Sequence, residues 1–62
     1  MRTISVFINY EKIAPTVLEQ SICHLYPCFI SWRDVDEDCF EFTITAREED
    51  VVSIERQLAQ YV

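Results

Sequence analysis

Cys28-Phe29-Ile30-Ser31-Trp32-Arg33 and Cys39-Phe40-Glu41-Phe42-Thr43-Ile44-Thr45 are two alternating runs joined by the acidic stretch Asp34-Val35-Asp36-Glu37-Asp38. In the first run Cys28, Ile30 and Trp32 share one face and Phe29, Ser31 and Arg33 the other. In the second, Phe40, Phe42 and Ile44 oppose Cys39, Glu41, Thr43 and Thr45. A two-residue period is that of a strand with one buried face. A short polar link between two such runs suits a hairpin. Whatever flanks this hairpin must cover its apolar face.

Upstream, Thr3 to Tyr10 alternates in the same way, with Ile4, Val6, Ile8 and Tyr10 on one face and Thr3, Ser5, Phe7 and Asn9 on the other. Glu11 to Ala14 turns the chain, and Pro15 suits a first helical position. From there Leu18, Ile22 and Leu25 fall on one face, with Val17 at its border, until Pro27 prevents continuation. A helix is expected from about Pro15 to Leu25. Downstream the period changes after Ala46: Val51, Ile54, Leu58 and Tyr61 recur at helical spacing. Glu48, Glu49 and Asp50 fall in the first turn, where the helix dipole favours acids. Thr45 with Glu48 fits a capping box.

Strand, helix, strand, strand, helix assemble in few ways. A right-handed crossover through the first helix, followed by the hairpin, yields sheet order 1-3-2 with both helices on one face. The expected fold is therefore an α+β, βαββα sandwich with an antiparallel sheet, ferredoxin-like without its last strand, forming one domain over residues 1–62. Its expected core is Ile4, Val6, Ile8, Ile30, Trp32, Phe40, Phe42 and Ile44 under Leu18, Ile22, Leu25, Val51, Ile54 and Leu58. The first strand is left with a free edge where a fourth strand would lie. Unpaired strand edges invite another chain.

At 62 residues the chain is near the lower limit for burying a core unaided, so help from a partner subunit is expected. Half of it is apolar, including four Phe, three Tyr and one Trp, which excludes a disordered tail. Eleven acids against five basic residues give a net charge of -6. That argues against direct nucleic-acid binding, which draws its affinity from Lys and Arg on phosphates. No apolar run approaches the ~20 residues of a membrane span, and Met1-Arg2-Thr3 leads directly into a strand pattern, so a cytoplasmic location is expected. Three cysteines, Cys23, Cys28 and Cys39, are unlike a secreted disulfide framework and are expected to be reduced and mostly buried. With no glycine at all, phosphate-cradling loops are excluded and turns must rely on Asn or Asp.

Phe42-Thr43-Ile44-Thr45-Ala46, followed by a helix ending Ile54-Glu55-Arg56-Gln57-Leu58-Ala59-Gln60-Tyr61-Val62, resembles an ACT-type regulatory domain. The resemblance is one of apolar pattern and covers most of the chain. It implies a regulatory role, dimerisation through the sheet, and an amino-acid ligand near the loop after the first strand. Here that loop is Glu11-Lys12-Ile13-Ala14-Pro15, where the family usually has a glycine.

Catalytic and metal chemistry find little footing. Asp34, Asp36 and Asp38 have the spacing of the first ligands of an EF-hand, yet Cys39 stands where glycine is needed and Thr45 where the bidentate glutamate belongs. Cys23, His24, Cys28 and Cys39 are suitable zinc ligands in type. However, Cys23 lies near a helix end, Cys28 opens a strand facing inward and Cys39 faces the other way, so convergence would need distortion. His24 beside Cys23 on a helix does not face it, and no other histidine exists to assist. The expectation is a non-enzyme with no cofactor and no metal.

What remains is association. Phe7 and Phe29 lie among Thr3, Ser5, Ser31, Arg33, Glu41 and Thr43 on the face without helices, as a possible partner patch or as ordinary strand formers. The acids fall in two groups, residues 34–38 and 48–50, at opposite ends of the sheet. Two readings follow, beside the small-molecule sensor with its ligand at the dimer seam that the ACT resemblance implies. The first is a small regulatory or adaptor protein, homodimeric through the first strand, that binds a larger protein. The second is an acidic inhibitor, of the kind phages and mobile elements encode, that blocks a nucleic-acid-binding protein. Ser5, Phe7, Asn9, Phe29, Arg33, Asp34, Asp36, Glu37 and Asp38 are the candidate contact residues.

Overall fold

The computed structural model describes residues 1–62. Strand β1 spans Arg2–Asn9, helix α1 Pro15–Leu25, β2 Cys28–Asp34, β3 Cys39–Ala46 and helix α2 Glu48–Ala59. The sheet is antiparallel with order β1-β3-β2, as the alternation and crossover rules require. One core unites the sheet's apolar face with Leu18 and Ile22 of α1 and Ile54 and Leu58 of α2. This is a small α+β domain with the βαββα arrangement.

Burial follows position in the sheet. Central β3 has a neighbour on each side, and its Phe40, Phe42, Ile44 and Ala46 are all buried. On β1 only Ile8 is fully buried, while Ile4 and Val6 are half-exposed beside the free edge. Ile30 on β2 is half-buried in the same manner. Phe40 anchors an aromatic group, with ring centroids 5.0 Å from Tyr10, 6.1 Å from Trp32 and 6.2 Å from Phe42 in tilted or edge-on geometries.

Two expected core residues lie outside the core. Leu25 is exposed because it is the last residue of α1, and Tyr26 after it packs against the core instead. Trp32 is 37% exposed, since β2 is an edge strand and the indole leans on Phe40 with one side open.

The expected capping box is also absent. Arg47, not Thr45, occupies the N-cap of α2, without a side-chain cap hydrogen bond. Thr45 remains in β3, where its hydroxyl is 2.8 Å from that of Thr3 across the sheet. Arg47 instead reaches Glu49 at 3.4 Å and Asp50 at 3.1 Å, joining the cap residue to the acids of the first turn.

No residue has a positive φ. The chain makes its tight connections with carboxylate and amide side chains in place of glycine. Asn9 Oδ1 accepts the Glu11 amide at 2.8 Å at the end of β1. Asp36 Oδ1 accepts the amides of Asp38 at 2.7 Å and Cys39 at 3.0 Å in the hairpin.

Candidate protein-binding surfaces

The free edge of β1 can be resolved residue by residue. The Tyr10 amide donates to the Asp38 carbonyl at 2.9 Å, one step beyond the Asn9–Cys39 pair of the β1–β3 register. Hydrogen bonding alternates along an antiparallel ladder, so the even residues Ile4, Val6 and Ile8 direct their backbone groups to β3. The odd residues Thr3, Ser5, Phe7 and Asn9 direct theirs outward. The Asn9 carbonyl accepts the Lys12 amide at 3.0 Å, which leaves the outward groups of Thr3, Ser5 and Phe7 and the Asn9 amide without protein partners in the chain.

This edge carries none of the usual guards. The register runs unbroken from Arg2 to Asn9, so there is no bulge. No proline interrupts it, and its only charge is Arg2 at the extremity. The other free edge, β2, ends in Arg33 and Asp34.

On the open face the two exposed phenylalanines do not form one patch. Phe7 shares a row with Glu41 and Arg33, whereas Phe29 shares a row with Thr45 and Thr3. They lie on opposite edge strands, four residues apart in register, about 13 Å along the strands and about 10 Å across them. The partner patch expected of them does not form, because β3 separates β1 from β2. The ground between them is polar and already paired: Ser5 and Thr43 hydroxyls are 3.0 Å apart, and Arg33 donates to Glu41 at 2.7 Å.

Of the hairpin residues, Asp34, Asp36, Glu37 and Asp38 are exposed, and none belongs to an ion pair. Asp36 is nonetheless committed to the turn. The Asp38 and Cys39 amides that it accepts hold its carboxyl below the ordinary carboxylate range. That contribution to the turn is present above the ordinary carboxylate pKa and lost as pH falls through the lowered one. Asp36→Ala should speed hydrogen exchange at the Asp38 and Cys39 amides at neutral pH. Unchanged exchange would show that the carboxylate does not hold the turn.

The two acidic groups lie apart, as the topology demands. The hairpin adjoins the Asn9–Cys39 end of the sheet and the start of α2 the Ala46 end, in a molecule 33 Å long. No cluster of three or more His, Cys, Asp or Glu side chains is arranged to hold a metal ion. The cysteines depart from expectation in two respects: none is buried, Cys23 being exposed and Cys28 and Cys39 half-buried, and two of the thiols meet. The Cys23 and Cys28 sulfurs are 3.9 Å apart, while Cys39 lies at the far end of β3, against Asp36. The signal that was available is the short link between them: four residues including Pro27 leave the last turn of α1 little room to diverge from the start of β2.

No protein-family model, no curated protein and no solved structure matches this chain. No helix is long and apolar enough to cross a membrane.

Proposed function

We propose that the chain is a non-catalytic, cytoplasmic regulatory or adaptor module that dimerises through β1 and acts by occupying a surface of a larger protein. The observation that supports this reading is the unguarded edge of β1, with outward backbone groups on alternate residues from Thr3 to Asn9. Antiparallel pairing of two copies about a two-fold axis at Val6 sets Ser5 against Phe7 and Thr3 against Asn9 of the second copy, using the whole odd-numbered set. The same register sets Val6 against Val6 and Ile4 against Ile8 on the helix face. It thereby covers Ile4 and Val6, which the single chain leaves half-exposed. A six-stranded sheet results, with the hairpin acids of one copy and the α2 acids of the other at each end. Light scattering over a concentration series should give twice the chain mass. A mass that stays at one chain up to millimolar protein would refute the proposal.

A second reading is an acidic inhibitor of a nucleic-acid-binding protein. It is favoured by the hairpin, whose Asp34, Glu37 and Asp38 have neither a cation nor a structural hydrogen bond to engage their carboxylates. Asp34→Asn, Glu37→Gln and Asp38→Asn together, with Asp36 left to hold the turn, should then weaken capture of a basic target. Wild-type binding should fall as salt rises. Salt-indifferent binding would exclude this reading.

A further inference from the structure

The geometry points to Cys23 and Cys28 as a dithiol that closes to an intramolecular disulfide by exchange with a small disulfide such as oxidised glutathione. Both thiols are free, and their sulfurs are 3.9 Å apart. A disulfide bond is about 2 Å long, so closure needs about 2 Å of sulfur movement. Cys23 is the exposed one of the two, so its side chain is the one to move. The bond would join the last turn of α1 to the first residue of β2.

The two sulfurs have different roles. Cys23 is exposed and meets the oxidant. Burial, then the Cys23 sulfur beside it and the charges of Asp50 and Glu19, push the Cys28 thiol up to about 11, so it stays protonated at neutral pH and follows as the resolving group. The Cys23 thiolate attacks one sulfur of oxidised glutathione, releases one glutathione thiolate and becomes a mixed disulfide. Cys28 gives its proton to solvent and attacks the Cys23 sulfur, releasing the second glutathione. Two electrons pass from the protein dithiol to the small disulfide, and the two protons end on the two glutathione thiols. Cys39, at the other end of the sheet, takes no part. The chain therefore carries a site that reports the state of the surrounding thiol pool.

Incubation of the full chain with oxidised glutathione at mildly alkaline pH, acid quenching, alkylation and mass spectrometry test this. The expected product is a single chain lighter by two hydrogens, with one peptide linking Cys23 to Cys28 and only Cys39 alkylated. Its thermal midpoint should rise by on the order of 5–10 °C, because the bond restricts the unfolded chain. Cys39→Ser should leave the product intact, and Cys23→Ser should abolish it with Cys28 recovered alkylated. A reaction that stops at a glutathione adduct, a cross-link to Cys39, or a bond between chains would overturn the proposal.

Discussion

Phe42→Ala should leave the chain largely unfolded. Phe42 is 0% exposed at the middle of the central strand, opposite Val6 on one side and Trp32 on the other, with its ring edge-on to Phe40. Truncating a buried Phe costs about 3–5 kcal/mol. At about 0.05–0.15 kcal/mol per residue, a domain of this size has roughly 3–9 kcal/mol in all. The loss is thus between about a third and the whole of the folding free energy, and urea or thermal melts should show a severely lowered cooperative transition or none. Phe29→Ala supplies the contrast: the ring is 73% exposed, so the change should stay within about 0.5 kcal/mol. A near-native melt for Phe42→Ala would mean that the core is elsewhere.

Ser5→Pro should separate association from folding. The Ser5 backbone N–H points away from β3, so proline removes no bond of the chain's own ladder and suits an edge strand with its nitrogen outward. What the fold loses is the exposed hydroxyl contact with Thr43. What the proposed dimer loses is larger. Two symmetry-related hydrogen bonds disappear, at about 0.5–1.5 kcal/mol each, and the ring obstructs the incoming strand. Dimerisation should weaken by at least about tenfold, with the far-ultraviolet circular dichroism retained. Ser5→Ala, which sheds the same hydroxyl but keeps the N–H, should remain dimeric. If Ser5→Pro stays dimeric too, pairing does not run through this edge.

Much of the architecture was legible because each strand announces itself by alternation and each helix by a change of period. Pro15 and Pro27 bracket α1 almost to the residue, and the clean alternation of Phe40, Phe42 and Ile44 marks the strand with neighbours on both sides. The features missed depend on things outside any single element. Periodicity assigns a face but not where the opposing layer ends, so it sets Leu25 and Trp32 inside although one lies at a helix end and the other on an edge strand. A Thr three residues before Glu satisfies the capping pattern, but the cross-strand contact with Thr3 keeps Thr45 in the sheet. Phe7 and Phe29 both pointed to the open face, while their separation depended on register. The Cys23–Cys28 contact arises where helix and strand meet, a place that neither period describes.

Hydrogen exchange on β1, followed amide by amide as the protein is concentrated, tests the dimer most directly. Ile4, Val6 and Ile8 should be protected at every concentration because they bond to β3. Thr3, Ser5, Phe7 and Asn9 should exchange fast in dilute solution and slow together as copies pair. Outward amides that remain fast at the highest concentration, or that are already slow in the monomer, would contradict an edge that finds its partner in a second copy.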